Sequence, residues 1–459
     1  MPSGQTLAQI LAAFVCELDY AKLPPEVVRR AKDLILDQLG CQLLGSRMEW
    51  NQAVYRVVKE NKQGGPATIV NYGDKVPVDD AAFVNGTFAQ GCEMDDYYDQ
   101  GGGHPGAGSI PVALALAEKR PLSGKEFIAA VTAGYELGWR IGRGLLPGMM
   151  QRGYHAQGVV GVFIAAATAG KIQRLNPAQM THAFAIAGSH ASGTMEFDQS
   201  GGEVKRMHCG LACAGGMRSA LLASAGLTGP ATILEGKRGI LSVFGGELKT
   251  DPVIKNLGAE YALLHAAIKR FPVNASQHSP IELLENLIQQ NDVRAPDVEK
   301  IEVGVNEGVL LHGGTIDEPK EVIEAQFSLR FSLALRLLKR CNDFEFYLDP
   351  KAWRDPEILA MGKKIVVFAD PTAAGERRFA CKMKITFRGG KAIEGEIASP
   401  KGASRRPLSA EEIRDKFLRL GSTVLSAQRL REIIHWVEEI DTEDDVGTIP
   451  RRMTVNPNI

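Results

Sequence analysis

The segment from Glu93 to Gly106 holds the densest group of polar side chains in the sequence. Four carboxylates and the imidazole of His104 share this Gly-rich segment. The carboxylates are Glu93, Asp95, Asp96 and Asp99. Neighbouring carboxylates raise one another's pKa, so one of them can act as an acid or a base near neutral pH. Because glycines let the backbone approach a ligand closely, the pattern fits an acid–base loop. It fits an acidic surface loop equally well.

Three glycines of this segment, Gly101, Gly103 and Gly106, also match the GxGxxG spacing of a dinucleotide site. That fingerprint requires a surrounding βαβ unit, whereas the preceding residues read as a helix. The aspartates of the segment would also repel a pyrophosphate. We therefore interpret the glycines as a ligand-facing turn before a helix that starts near Ser109.

Further candidate groups occur where two later helices begin. His155 precedes an Ala-rich apolar helix, where it is either a capping residue or a site group. Lys205 and His208 place two cations at another helix start, after Gly201-Gly202. Ammonium groups and helix N-termini both attract carboxylates, although ordinary surface lysines are common. His208, Cys209 and Cys213 lack the ligand spacing of a zinc site, so we expect no metal there.

A third group follows the point at which the sequence pattern changes. Lys269 and Arg270 begin this stretch, and Asn274, Gln277 and His278 stand just before a helix start. Pockets often form where domains meet, so cations here would suit a bound acid. The alternative is a solvated pair of linker charges.

The bulk properties limit the class of protein. At 459 residues the chain exceeds the roughly 250–300 residues of a single core, which predicts two domains. Its 53 basic and 54 acidic side chains give a net charge of -1, so no global field would hold nucleic acid or an anionic membrane. No apolar run approaches the roughly 18 residues of a membrane span.

The cysteines and the first residues bear on location. Seven cysteines are scattered without a CxxC pair, which indicates a reduced, cytoplasmic setting. The first lysine is Lys22, and Gln9 interrupts the apolar stretch from Leu7 to Val15. This is unlike a secretory signal, so we expect none.

The periodicity predicts a mainly α protein with a discontinuous helical domain. Residues 1–266 read as successive helices, 267–403 as a smaller α+β domain and 404–459 as helix again. Ser123 and Ser409 each precede a glutamate at capping-box spacing, and Asn176 precedes a proline at a helix start. A capping box is also expected at Ser279, and one long helix over residues 321–340.

Alternation of apolar residues predicts strands in the α+β domain. Ile301, Val303 and Val305 alternate with charged or small residues. A second alternating run covers residues 379–387, after which Gly389-Gly390 turns the chain toward a third strand. This is a hairpin pattern.

Taken together, these segments resemble the MmgE/PrpD family over most of the chain. The matching segments, in the family's order, are Ala31–Gly40, Glu93-Met94-Asp95-Asp96, His104-Pro105-Gly106, Gly153-Tyr154-His155, Lys205, Lys269-Arg270-Phe271-Pro272 and Glu324-Ala325-Gln326-Phe327-Ser328. The resemblance implies a large all-helical domain, an inserted α+β lid domain and a homodimer. It also implies a cleft between the domains that works without metal, iron–sulfur cluster or other cofactor.

The resemblance carries site residues onto this chain. The catalytic positions are Asp96, His104, His155, Lys205 and Lys269. The substrate-binding positions are Glu93, Asp95, Tyr97, Asn274 and His278. Three residues depart from the decarboxylases of the family: Asn274 replaces a histidine, Tyr97 a small hydroxyl residue and Phe331 a tyrosine. These departures argue against simple transfer of decarboxylase activity.

The implied function is a lyase of the 2-methylcitrate dehydratase type, acting on a small di- or tricarboxylate. Lys205 and Lys269 would hold substrate carboxylates and stabilise an enediolate. His104 or His155 would remove the proton beside a carboxylate, and the other histidine or Asp96 would protonate the leaving hydroxyl.

Several alternatives stay open. An epimerase, another isomerase or a decarboxylase of a similar acid would use the same groups. A metal-dependent hydrolase would use His104, His155 and the acidic loop. A catalytically silent binding protein would explain Tyr97, Asn274 and Phe331.

Overall fold

The computed structural model describes residues 4–61 and 64–455. Helices account for most of these residues and the strands are few, so the predicted mainly α class is confirmed. Within the described ranges, no helix combines the length and the apolar character needed to cross a bilayer.

The main helices follow one another along the whole chain. They are α1 (Leu7–Glu17), α2 (Pro25–Gly45), α3 (Glu49–Asn61), α4 (Val78–Gln90), α5 (Pro105–Ala117), α6 (Gly124–Leu145), α7 (Ala156–Ile172), α8 (Pro177–Ala187), α9 (Val204–Ser224), α10 (Ile240–Gly245), α11 (His278–Asn291), α12 (Val322–Phe327), α13 (Leu329–Lys339), α14 (Pro356–Gly362), α15 (Ala410–Gly421) and α16 (Ala427–Glu438). Shorter helical turns are Gly148–Gln151, Phe197–Ser200, Asp251–Ile254, Glu307–Val309, Phe344–Leu348, Pro350–Trp353 and Ile449–Arg452.

Within residues 4–61 and 64–455, the strands form three small sheets. They are β1 (Ala67–Thr68), β2 (Lys75–Val76), β3 (Tyr97–Tyr98), β4 (Ala266–Ala267), β5 (Val298–Val305), β6 (Ile365–Ala369), β7 (Cys381–Phe387) and β8 (Ala392–Ile397). β1 pairs with β2 and β3 with β4, both antiparallel, and the other four form one sheet.

The chain divides into two compact units. The first comprises Met1–Met195, Glu203–Ala267 and Ser409–Ile459, and the second comprises Glu196–Gly202 and Ile268–Leu408. The first unit thus holds α1 to α10, α15 and α16. The second holds α11 to α14 and strands β5 to β8.

Capping chemistry starts three helices of the first unit where the sequence predicts it. The side chains of Ser123, Asn176 and Ser409 each accept a hydrogen bond from the backbone N–H of the third helical residue. In each case the side chain of that third residue accepts from the backbone N–H of the cap. These reciprocal bonds satisfy N–H groups that a helix start leaves without intrahelical partners.

Small residues let the buried helices α7 and α9 pack closely. A Cβ added at Gly216 of α9 would lie 2.3 Å from the carbonyl oxygen of Val162 in α7. One added at Gly158 of α7 would lie 2.1 Å from the carbonyl oxygen of Ser192. Any larger side chain would therefore push these segments apart. The close packing fixes the two helices whose first turns carry His155 and Lys205.

The second unit is built on the four-stranded sheet, in the order β6-β5-β7-β8. β5 pairs in parallel with β6 and antiparallel with β7. β7 and β8 form the predicted hairpin, with Gly389 and Gly390 in the left-handed region at φ 100° and 87°. The alternating residues Ile301, Val303 and Val305 are buried, as expected of a half-buried strand.

Two helix predictions for the second unit are wrong in detail. α11 begins at His278 rather than after Ser279, and no side chain caps it. Glu282 instead accepts hydrogen bonds from Lys401 N–H at 2.6 Å and the Arg406 guanidinium at 2.8 Å. The long helix predicted over residues 321–340 is broken at Ser328, whose extended backbone ends α12 and whose hydroxyl caps α13.

Candidate functional site

The acidic segment between α4 and α5 is buried, so the interpretation as a surface loop is wrong. Glu93, Asp95 and Asp96 are each at most 1% exposed. β3 lies in the middle of the segment and pairs with β4, placing Tyr97 opposite Ala267. Burial of several carboxylates is costly unless hydrogen bonds and cations compensate. Each carboxylate should therefore have a specific partner.

Asp95 is the partner of His104. Its Oδ2 lies 2.8 Å from Nδ1 of the imidazole, and the backbone oxygen of Asp96 lies 2.9 Å from the same nitrogen. Because both neighbours are acceptors, the network assigns the proton to Nδ1. In the neutral ring Nε2 then carries a lone pair and can accept a proton. The carboxylate would stabilise the protonated ring, as in hydrolase triads.

Asp96 contacts a different set of groups. Its Oδ2 accepts a hydrogen bond from the Tyr135 hydroxyl at 2.6 Å, and its Oδ1 accepts from Gly106 N–H at 3.0 Å. Burial raises the pKa of Asp96 to about 7. The Tyr135 hydrogen bond opposes this rise, and the nearby carboxylates of Asp95 and Asp37 add to it. Near neutral pH this buried acid is therefore partly protonated.

The close contact with Asp96 explains why position 106 is a glycine. A Cβ at this position would lie 2.7 Å from Asp96 Oδ1 and 2.8 Å from the Tyr135 hydroxyl. The glycine thus allows a close approach of the backbone to a carboxylate, in place of a pyrophosphate. α5 begins at Pro105, four residues before the start expected near Ser109.

A distant helix fixes the acidic segment. Lys416 of α15 lies 2.6 Å from Asp37 Oδ1 of α2 and donates to the backbone oxygen of Met94 at 2.6 Å. Both side chains are buried, and burial raises the pKa of Asp37, opposed by the Lys416 ammonium. Sequence reasoning missed this contact, because Lys416 and Met94 are 322 residues apart.

Lys205 and Glu93 form a buried ion pair at the start of α9. Lys205 is 3% exposed and Glu93 1% exposed, so the alternative of an ordinary surface lysine is wrong. Glu93 adopts a left-handed backbone at φ 56°, an uncommon conformation for a residue with a side chain. Such a conformation persists where surrounding contacts hold it, and it often marks functional sites.

His155 and His208 contact each other directly. Their Nδ1 atoms are 2.9 Å apart, and each residue is 6% exposed. His155 occupies the N-cap position of α7, but its side chain makes no capping hydrogen bond. Burial lowers the pKa of both rings, and the Lys205 ammonium adds to the effect; the pKa of His208 falls to about 4. Both imidazoles are therefore neutral at pH 7.

Gln157 joins these groups into one buried assembly. Its Oε1 accepts the backbone N–H of His104 at 2.7 Å, and its Nε2 donates to Cys209 Sγ at 3.1 Å. It thus connects the acidic segment to α7 and α9. The name "polar cluster" denotes the side chains of Glu93, Asp95, Asp96, His104, His155, Gln157, Lys205 and His208. Sequence reasoning missed Gln157 and Tyr135, since amides and phenols carried no signal there.

The three remaining predicted site residues belong to the second unit. Lys269 is 1% exposed. Asn274 Oδ1 accepts from Ser276 N–H at 3.0 Å, and its Nδ2 donates to the backbone oxygen of His312. The buried ring of His278 stacks on Phe271, with centroids 5.5 Å apart. Asn274 and His278 thus contact residues of their own unit.

Phe331 and Asn274 both serve the second unit's own structure. Phe331 packs edge-on against Tyr347 in the hydrophobic core, and Asn274 caps a short helical turn. Tyr97 is buried in β3 of the first unit.

An unpredicted acid–imidazole pair lies within the second unit. His312 Nδ1 is 2.6 Å from Asp198 Oδ2. Burial opposes ionisation of Asp198, but the hydrogen bonds from His312 and Gln199 outweigh it and lower the pKa of this carboxyl. The sequence offered no signal, because Asp198 precedes the main part of the unit by about 70 residues.

In the part of the chain that the structure describes, no three or more His, Cys, Asp or Glu side chains are grouped to hold a metal ion. The hydrolase alternative with His104 and His155 as ligands therefore has no ligand set among these residues.

Comparison with known proteins agrees with the resemblance. The family models of the MmgE/PrpD N-terminal and C-terminal domains match residues 9–252 and 271–440. A cis-aconitate decarboxylase-like protein of Aspergillus oryzae is 29% identical, covering 98% of this chain and 97% of its own length. The cis-aconitate decarboxylase of Aspergillus terreus is 28% identical (93% and 91%), and that of Mus musculus 25% (97% and 93%). The chain belongs to the MmgE/PrpD family.

Proposed function

We propose that this protein is a lyase that acts on a small tricarboxylate through a carbanion beside a carboxylate. The observation that carries the proposal is the buried contact of Asp95 with His104, in the same polar cluster as the ammonium of Lys205. The names of the relatives support a polycarboxylate as substrate, and cis-aconitate is the first acid to test.

His104 is the proposed acid–base group. In decarboxylation, loss of CO2 leaves an electron pair that the double bond of cis-aconitate delocalises to the carbon beside a remaining carboxylate, and the protonated ring delivers its Nε2 proton to that carbon. The Nδ1 proton stays hydrogen-bonded to the backbone oxygen of Asp96, and the Asp95 carboxylate, 2.8 Å from Nδ1, stabilises the ring while it is charged. Solvent then restores the proton at Nε2. One acid–base group suffices for this reaction.

Lys205 is the proposed electrostatic group. A fixed ammonium in a buried site stabilises negative charge as it grows on substrate carboxylate oxygens. Glu93 is itself an anion, so we assign it to orient Lys205 rather than to contact the substrate. Lys269 stays a proposed catalytic residue, which would hold a substrate carboxylate, on the strength of the family resemblance alone.

Dehydration is the second candidate, and the sequence had placed it first. It requires a base to remove the proton and a separate acid to protonate the leaving hydroxyl. The carboxyl of Asp96, with its pKa near 7, is the observation that favours it. Against this role, both oxygens of Asp96 already accept hydrogen bonds from Tyr135 or Gly106.

A panel of acids separates the candidate reactions. The purified protein is incubated with cis-aconitate, citrate, 2-methylcitrate and aspartate-derived dicarboxylates in ordinary and heavy water. Release of CO2 from cis-aconitate supports decarboxylation, and ultraviolet absorbance from a new double bond in a hydroxy acid supports dehydration. Proton exchange without net conversion indicates an epimerase. No conversion and no exchange with any acid would refute the proposal and leave a binding protein.

Two further expectations from the family are proposals with simple tests. We propose a homodimer, which light scattering during gel filtration would show as twice the chain mass of 49.6 kDa. We also propose that catalysis needs no metal. Dialysis against a chelator should then leave turnover unchanged, whereas loss that added metal restores would contradict it.

A further inference from the structure

His155 and His208 meet through the same type of ring nitrogen. Their Nδ1 atoms are 2.9 Å apart, the ring centroids are 5.1 Å apart and the ring planes are tilted by 45°. His155 occupies the N-cap position of α7 without a capping hydrogen bond, and His208 lies in the second turn of α9. Because these helices pack closely, the contact is held from both sides.

A hydrogen bond between two Nδ1 atoms places a strict condition on the protons. A neutral imidazole carries one N–H, at Nδ1 or at Nε2. If both Nδ1 atoms carried a proton, the two N–H donors would repel each other. If neither carried one, the two lone pairs would repel each other. One ring must therefore be the Nδ1–H tautomer and the other the Nε2–H tautomer.

The charged groups near the pair keep both rings neutral. The Lys205 ammonium lowers the pKa of both rings. The imidazolium of a protonated His104 lowers the pKa of His155 further. Glu93 opposes them at His155. Burial is the larger cost of charge, so both rings stay neutral and one donates its Nδ1 proton to the lone pair of the other without transferring it.

The backbone fixes the position of the rings as well. Gly193 has a left-handed backbone at φ 98°, and a Cβ there would lie 3.1 Å from His208 Nδ1. The carbonyl oxygen of Gly193 accepts the backbone N–H of His155 at 3.0 Å. One glycine therefore contacts both partners. This restricts the His208 ring to lie against the backbone.

We propose that His208 is a positioning residue that donates its Nδ1 proton to Nδ1 of His155 and so holds His155 as the Nε2–H tautomer. The proposal rests on the proposed function, in which His104 is the acid–base group and the developing enediolate needs a hydrogen-bond donor. His155 then acts as a neutral donor through Nε2 and exchanges no proton with the substrate. Neutral imidazoles serve as such electrophiles in other enzymes.

The tautomers can be measured without any turnover. Histidine labelled with 15N is incorporated, and two-bond 1H–15N correlations at pH 7 distinguish Nδ1–H from Nε2–H rings. Spectra of H155Q and H208Q assign the two signals by their loss. The expected result is Nδ1–H for His208 and Nε2–H for His155. The reverse assignment, or two rings of the same tautomer, would overturn the proposal even if the protein is a decarboxylase.

Two matched variants test the consequence for catalysis. In His208→Asn the amide N–H can take the place of the imidazole Nδ1–H, whereas His208→Gln carries its amide one bond further out. With cis-aconitate, the Asn variant should keep kcat within about tenfold of the parent. The Gln variant should lose about 100-fold in kcat, the usual effect of removing one donor to a developing oxyanion, with little change in KM.

The pair of variants also separates positioning from a merely structural role. A residue needed only for packing would lower the unfolding temperature of both variants and would give them the same kcat per folded molecule. Equal kcat values for Asn and Gln would therefore contradict the proposal. If no acid is turned over, the proposed function fails, and the tautomer measurement still decides the assignment of the histidine pair.

Discussion

The two regions of the polar cluster that carry imidazoles differ in what faces their Nδ1 atoms. In the acidic segment, His104 faces the carboxylate of Asp95. At the helix starts, His155 faces the imidazole of His208. A carboxylate favours the charged ring, whereas a neutral ring beside an ammonium disfavours it. The same residue type is therefore suited to proton transfer in one region and to neutral hydrogen bonding in the other.

This difference shows that the partner of a histidine, more than its position in a motif, determines its chemistry. Either histidine was an equally good candidate base by sequence. Substitutions that remove or change one partner at a time should affect the two regions differently.

The largest effect is expected from His104→Ala. Loss of an acid–base group typically slows a reaction about 100- to 10,000-fold, so turnover of cis-aconitate should fall within that range. Steady-state kinetics on protein with an unchanged unfolding temperature provide the measurement. The exposed His435 of α16 gives a matched control, and His435→Ala should keep turnover within twofold. Turnover of His104→Ala within tenfold of the parent would contradict the assignment of His104 as the acid–base group, on which the comparison of the two regions depends.

Glu93→Gln should have the next largest effect, on stability. Removing one member of a buried ion pair leaves the other charge uncompensated and typically costs about 3–5 kcal/mol. Urea unfolding of the variant should show a loss of this size. Glu126→Gln is the control, since Glu126 pairs with Arg174 at the surface and such pairs contribute about 0–1 kcal/mol. Equal losses in the two variants would show that Lys205 does not depend on Glu93.

Asp96→Asn should have a smaller effect that depends on pH. The folded pKa of Asp96 is raised from 3.8 to about 7, so its favourable contribution is complete below the unfolded pKa. That contribution is lost as pH rises from about 4 to about 7. Asn keeps the shape and carries no charge, so the variant should gain at least about 1 kcal/mol of stability over the parent between pH 4 and pH 8.

The same variant distinguishes the two candidate reactions. If Asp96 only tunes the site, Asp96→Asn should retain turnover of cis-aconitate within tenfold. A loss of 100-fold or more with a hydroxy acid would instead make Asp96 the acid of a dehydratase. A stability difference that is flat with pH would contradict the raised pKa.

The fold could be predicted where the signal is local. The capping residues Ser123 and Ser409 and the hairpin at Gly389-Gly390 depend on neighbouring residues, and the structure shows all of them. The break at Ser328 was missed, because the apolar periodicity continues through it. The placement of Glu196–Gly202 with the second unit depends on contacts far along the chain.

The candidate site could be predicted by residue type but not by pairing. The sequence identified the acidic segment, His155 and Lys205, and these residues lie in one buried cluster. It did not predict that the carboxylate of Asp95, rather than that of Asp96, contacts the His104 ring, since adjacent residues differ only in the direction of their side chains. It treated His208 as a cation, whereas burial and Lys205 lower its pKa to about 4.

The most direct test of the proposed division of roles is the reaction of cis-aconitate in heavy water. The parent protein should release CO2 and place one deuterium on the carbon of the product that lies beside the remaining carboxylate. His104→Gln should abolish both, and His155→Gln should slow both while the product still carries one deuterium. Unchanged CO2 release by His104→Gln would contradict the assignment of His104 as the proton donor, and so would the absence of deuterium from the parent's product.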